Sequence, residues 1–227
     1  NYSQINWIKK PTEIVDDPQK LPGANWFKGG TLNYAENLLK GQSDAIALYD
    51  ISENGETKTI TYQELNQHCF ALQQAFKHIG LQKTSKISAI MPNCTESVNA
   101  LLACSSIGAI WSSCSPELGL DSLIQRLKQV EPECLITCSE YRYKGKTYKI
   151  SEKISNLLKK LPSIKHVIVV NQDDQIHFEL QTHQKGALYS RLIDQYWQEK
   201  PTLFFEELNF MDPAFILFSS GSTGKPK

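Results

Sequence analysis

The sequence predicts an α/β protein: a mostly parallel βαβ sheet flanked by helices, preceded by an irregular arm and a hairpin. Three observations carry this. Between residues 87 and 138 short apolar runs alternate with stretches of helical periodicity, the pattern of right-handed βαβ crossovers. An apolar fraction of 41% over 227 residues is enough to bury a sizeable core. Finally, an apolar run (Ala214, Phe215, Ile216, Leu217, Phe218) passes directly into a stretch of Ser, Gly, Thr and Lys, which reads as a strand ending in an anion-holding loop.

Residues 1–40 read as an arm and one short helix, and residues 41–227 as the α/β unit. The arm carries Pro11, Pro18, Pro22, Gly23, Gly29 and Gly30, with Trp7, Trp26 and Phe27 as apolar anchors. Residues 32–39 suit a short helix with Asn33 as its N-cap. A strand over 45–49, the Asn54-Gly55 turn signal and a return at 58–60 predict a hairpin. Thr61 and Glu64 then have the spacing of a capping box. The helix they open places Leu65, Cys69, Leu72, Phe76 and Ile79 on one face and ends at Gly80. Strands follow at 87–91, 109–112 and 134–138, separated by helices at 95–107 and 120–130. Beyond a basic segment at 139–149 come a helix (Ile150 to Leu158), a strand at 166–170, a polar stretch to 185, a helix near 188–198 and the final strand.

Lys plus Arg number 24 and Asp plus Glu number 24, so the bulk charge points to neither nucleic acid nor an acidic membrane. There is no apolar run of spanning length, and the expected compartment is cytoplasmic. The six cysteines lie in apolar elements and suit reduced, buried thiols. None of the five histidines has a metal-like partner in sequence, and His68 and His78 fall on the polar side of their helix. No Gly-x-Ser-x-Gly elbow is present, so a serine hydrolase has no anchor.

Two stretches carry chemistry. In Ser219-Ser220-Gly221-Ser222-Thr223-Gly224-Lys225-Pro226-Lys227 the glycines let successive N–H groups converge on anionic oxygens, while hydroxyls and two lysines add donors and charge. The spacing is neither that of a Walker P-loop nor G-x-G-x-x-G. A flexible tail has a similar composition, but the apolar run directly before it argues against that. The second stretch, Tyr141-Arg142-Tyr143-Lys144-Gly145-Lys146-Thr147-Tyr148-Lys149, interleaves cations with tyrosines. It suits stacking on a base and pairing with phosphates, or simply a solvated basic loop.

All nine positions from Ser219 to Lys227 resemble the phosphate-loop signature of the adenylate-forming superfamily, and Trp26 to Leu39 resembles the opening signature of short-chain acyl-CoA synthetases. Asn33 to Leu39 and Gly108 to Pro116 look most like the acetoacetate-activating branch. The resemblance implies the N-terminal portion of the adenylate-forming fold, truncated after the phosphate loop, and a two-step acid:CoA ligase using ATP, Mg2+ and CoA. It implies that Ser219, Ser220, Gly221, Ser222, Thr223, Gly224, Lys225 and Lys227 contact the ATP phosphates. It also implies that Arg142, Lys144 and Lys146 face the CoA phosphates, although Lys146 and Tyr143 stand where relatives usually have Arg. The motifs for adenine, ribose, the Mg2+-linked glutamate and the catalytic lysine would lie beyond Lys227, so this stretch alone is expected to be inactive. The rival readings are an acetyl- or propionyl-CoA synthetase, or a non-catalytic scaffold of the same fold.

Overall fold

The computed structural model describes residues 4–20, 22–171, 173 and 175–219. In the arm, β1 (Glu13–Val15) and β2 (Trp26–Lys28) pair antiparallel, so the stretch read as irregular contains one short ribbon. After β3 (Thr31–Leu32) comes α1 (Tyr34–Leu38), with the predicted Asn33 cap accepting from the amides of Ala35 and Glu36. The Asn33 side chain also donates to the carbonyls of Ser105, Ser106 and Glu206. One fully buried amide thus ties the arm to two distant segments.

The predicted hairpin forms from β4 (Ile46–Ile51) and β5 (Thr57–Thr61). Its loop, residues 52–56, is longer than the two residues that Asn54-Gly55 alone suggests, and Ser52 N–H donates to the carbonyl of Glu56. Helix α2 (Tyr62–His78) opens with both halves of the capping box, and Leu65, Cys69, Leu72 and Phe76 are buried along the predicted face.

The alternation then builds the sheet. β6 (Lys86–Ile90), α3 (Thr95–Ser106), β7 (Ile110–Cys114), α4 (Leu120–Val130) and β8 (Cys134–Thr137) follow each other as read from the sequence. An antiparallel hairpin, β9 (Glu140–Tyr143) and β10 (Lys146–Lys149), interrupts the pattern before α5 (Ser151–Leu158) and β11 (His166–Val169). β12 (Lys185–Leu188), which the polar character of its neighbourhood concealed, adds an edge strand ahead of α6 (Tyr189–Tyr196). The five parallel strands lie in the order β12-β11-β8-β6-β7. The chain therefore winds to one side from β6 to β7, then crosses back to β8 and continues the other way. That reversal is a topological switch point.

The core sits in this sheet and the helices on it: Ile87, Leu135 and Val169 have no exposure, nor do Leu123, Leu127, Ile154 and Leu157. Strands buried on both faces read as continuous apolar runs, which is why they were legible. The side of α2 read as polar is largely covered instead. The segment after α6 runs back over it, and Gln73 exchanges hydrogen bonds with the backbone of Phe204 while Gln67 donates to the carbonyl of Glu199. His68, expected at the surface, stacks on Tyr189 and meets Trp197 edge-on. The segment ends in β13 (Leu208–Asn209), which pairs with β3.

The final strand is only partly formed. Residues 214–216 run parallel to β7, with Trp111 N–H donating to Ala214 O (2.9 Å) and Ile216 N–H to Trp111 O (2.9 Å). Leu217 is 77% exposed, so the run that reads as a buried strand has one covered side among the described residues.

Candidate functional site

In a parallel sheet every strand delivers its carboxyl end to the same edge, where ligands of open α/β folds bind. That edge collects the ends of β6, β7, β8 and β11, together with the end of the 214–216 segment. Ser219 lies exposed just past this edge; it is the one loop residue of the predicted set that is described. Ser220, Gly221, Ser222, Thr223, Gly224, Lys225 and Lys227 lie outside the described residues. The approach to the loop is guided from both sides. Tyr34 packs edge-on against Phe215, and the Arg126 guanidinium lies 5.8 Å from the Phe218 ring centroid. Arg126 itself is half-buried and donates to the carbonyl of Ser122. Behind β7, the Lys153 ammonium donates to Pro116 O (2.8 Å) and Leu118 O (3.0 Å), pinning the turn at the same edge.

The second predicted contact rises directly from the end of β8. At the hairpin's base, Ser139 N–H donates to Asn171 Oδ1 (2.9 Å) and Asn171 Nδ2 to Ser139 Oγ (2.8 Å), joining it to the end of β11. Antiparallel partners share a face, so the register decides which cations cooperate. Tyr143 opposes Lys146 and Tyr141 opposes Tyr148, whereas Arg142 opposes Thr147 and Glu140 opposes Lys149. The structure therefore separates the predicted trio. Lys146 shares a face with three tyrosines, two of them stacked at 5.4 Å, and the Lys144 ammonium sits 5.1 Å from the Tyr143 ring on that side. Arg142 lies on the opposite face, with Lys149 two positions along the partner strand.

Two carboxylates that local sequence could not reveal serve this region. Asp50 of β4 accepts from Thr95 N–H (3.1 Å) and Oγ1 (2.7 Å), placing a negative charge at the N-terminus of α3. Glu53 accepts from Lys144 N–H (2.9 Å) and Gly145 N–H (3.1 Å) at the tip of the basic hairpin. Those two backbone bonds hold its carboxyl below the usual range, and the charges of Arg142 and Lys144 act in the same direction. At the cysteines, by contrast, burial dominates: it pushes Cys134 and Cys138 up to about 12, raises Cys114 despite the nearby Arg126 charge, and takes Cys94 up to about 11 despite its contact with Ser97. No helix among the described residues is long and apolar enough to cross a membrane.

Residues 35–227 match the family model described as AMP-binding enzyme. The chain belongs to the AMP-binding enzyme family. Residues 2–38 of this AMP-binding enzyme match a second model, the acetyl-coenzyme A synthetase N-terminus. Acetoacetyl-CoA synthetase of Gallus gallus is 36% identical over all of the chain, and that of Xenopus tropicalis 33%. Malonamoyl-CoA synthetase of Penicillium aethiopicum is 31% identical over the same extent. The chain spans 33–35% of the length of these relatives. Among solved structures, acetoacetyl-CoA synthetase from Streptomyces lividans superposes with a TM-score of 0.87 at 29% identity, over 99% of this chain and 34% of that one. The fold read from the sequence is thus that of the N-terminal part of an acyl-CoA synthetase.

Proposed function

We propose that this chain supplies the N-terminal third of an ATP-dependent acid:CoA ligase that converts acetoacetate to acetoacetyl-CoA through an acyl-adenylate, releasing AMP and pyrophosphate. The observation that carries this reading is likeness over the entire chain to acetoacetyl-CoA synthetases, with the 214–216 segment that leads to Ser219 ending at the carboxyl edge of the sheet. A preference for a 3-oxo acid has a second support. Acetoacetate and malonamate, the acids in the names of the relatives, both set a carbonyl one methylene away from the carboxylate. Acetate or propionate would need no recognition of that carbonyl.

In this reading the backbone amides and hydroxyls of Ser219, Ser220, Ser222 and Thr223, with Gly221 and Gly224 permitting close approach, receive the β- and γ-phosphate oxygens. Lys225 and Lys227 place positive charge where negative charge grows as pyrophosphate leaves. Donors fixed in place before such a step spare the solvent reorganisation that the reaction in water requires. Mg2+, when present, neutralises phosphate charge; among the described residues no group of three His, Cys, Asp or Glu could hold a metal, and none is assigned to it. For CoA, the hairpin is the proposed contact, with Lys144 and Lys146 beside Tyr143 and Arg142 on the other face. Its chemistry fits an anion, since the tip amides already hold the Glu53 carboxylate. The partners are small molecules, with no nucleic acid or membrane among them, and the compartment is the cytoplasm.

The test is acid-dependent pyrophosphate release by the full-length protein with ATP and Mg2+, comparing acetoacetate with acetate. Faster release with acetoacetate is the expected result; preference for acetate would keep the mechanism and discard the branch, and no release would favour a scaffold. Lys225→Ala with Thr223→Ala should raise the adenylation barrier by about 2–4 kcal/mol.

A further inference from the structure

Every residue of β10, the outer strand of the β9–β10 hairpin, is exposed, and a lone two-stranded ribbon is marginal in water. Its turn makes this worse. Lys144 and Gly145 both take positive φ (50° and 72°), the arrangement of a two-residue type I′ turn, which suits glycine but strains a lysine. Such a turn also leaves two adjacent backbone N–H groups pointing away from the ribbon, without partners inside it. Both end on one residue, Glu53, which is 91 and 92 positions earlier in the chain and sits in the loop between β4 and β5.

We propose that Glu53 is a positioning residue for the basic hairpin, its carboxylate clamping the Lys144-Gly145 turn so that the Lys144 and Lys146 ammonium groups are held where a phosphorylated ligand meets them. This rests on the reading that the hairpin faces CoA. A carboxylate is suited to the task because its two oxygens match two neighbouring amides, one bond each, and because an ionised acceptor makes the stronger hydrogen bond. Glutamine keeps a single acceptor oxygen, and alanine keeps none. The base of the hairpin is fixed independently by Asn171 and its middle by the Tyr141–Tyr148 stack, so loss of Glu53 loosens the tip rather than the fold. The opposite role is also chemically coherent: Glu53 could occupy the amides as a resident anion that the ligand's phosphate must displace. The two roles differ in sign, which makes them separable.

The experiment uses the full-length protein with Glu53→Ala, Glu53→Gln and, separately, Lys144→Ala with Lys146→Ala. Amide hydrogen exchange over residues 140–149 reads the clamp without reference to activity. Glu53→Ala is expected to speed exchange there about tenfold, with Glu53→Gln between it and the parent. Steady-state kinetics with varied CoA are expected to show KM for CoA raised about three- to tenfold in Glu53→Ala, with kcat within about twofold and partial recovery in Glu53→Gln. Unchanged exchange would overturn the clamp. Faster exchange with an unchanged KM would overturn its role in ligand positioning, and a lowered KM would establish the displaced-anion role in its place. If the Lys144/Lys146 double variant leaves KM for CoA unaltered, the assignment of CoA to this face of the hairpin falls, and the exchange result alone then decides whether Glu53 holds the turn.

Discussion

β8 and the β9–β10 hairpin are separated by two residues in the chain, yet they are held by opposite means. β8 is paired on both sides, and all four of its residues are buried. The hairpin has one pairing, and it depends on an aromatic stack and on polar contacts at its two ends. The difference teaches where redundancy lies. Apolar burial is spread over many side chains, so the sheet tolerates small changes near its edge, whereas the orientation of the basic groups hangs on a few hydrogen bonds from distant residues. A binding element can thus move or be tuned without unsettling the scaffold that carries it.

The comparison breaks if core and hairpin substitutions cost the same. Leu135→Ala, at a fully buried position in the central strand, should lower unfolding free energy by about 2–5 kcal/mol in urea titrations. A smaller effect is expected at the seam between α2 and α6, a third kind of holding in which polar groups are buried. There His68 Nδ1 lies 3.2 Å from the Tyr189 hydroxyl, which also accepts from Asn99 Nδ2 at 2.8 Å. Burial lowers the pKa of His68 from its ordinary 6.5, aided by Lys58 and opposed by Glu96 and Glu64. Above pH 6.5 the imidazole is neutral in both folded and unfolded chains and the seam is intact. As pH falls through 6.5 the unfolded chain takes up the proton first, so stability declines until the lowered folded-state value is also passed. His166, lowered by burial as well, adds a decline in the same direction. Denaturation midpoints measured from pH 8 to pH 5 should therefore fall, and less so in His68→Gln; an identical slope in that variant would remove His68 from the account. Least of all, Tyr148→Ala should cost about 0.5–1 kcal/mol, because the ring it removes is 40% exposed and touches chiefly Tyr141. A loss as large as that of Leu135→Ala would mean the hairpin is part of the scaffold after all.

Much of the fold was legible because its signals are local. The α4 bounds, the Thr61–Glu64 box and the Asn33 cap all follow from side chains within a turn or two of the groups they serve. What escaped was set by remote partners. Lys-Gly is a weaker turn signal than Asn-Gly, so the hairpin read as a break, and β12 begins among polar residues because it is an edge strand. The α2 face bearing Gln67 and Gln73 looked solvated because nothing nearby in sequence says that residues 199–206 return to satisfy those amides. The candidate loop was visible by composition, while Arg126 and Tyr34, which flank the segment leading to it, were not.

By itself, the sequence determined the kind and order of the main elements, from the β4–β5 hairpin through the alternating strands and helices up to β11, and the Ser, Gly, Thr and Lys composition of residues 219–227, since periodicity, capping and residue type are properties of short windows. Only the tertiary structure decided the strand order β12-β11-β8-β6-β7, the placement of the loop's approach beside β7, the split of Arg142 from Lys146 across the hairpin and the reach of Glu53 to its turn. Apart from the hairpin split, which the register of a local turn sets, each of these joins residues from about twenty to just over a hundred positions apart, and such contacts are selected by the packing of the whole chain, not by the preference of any one segment.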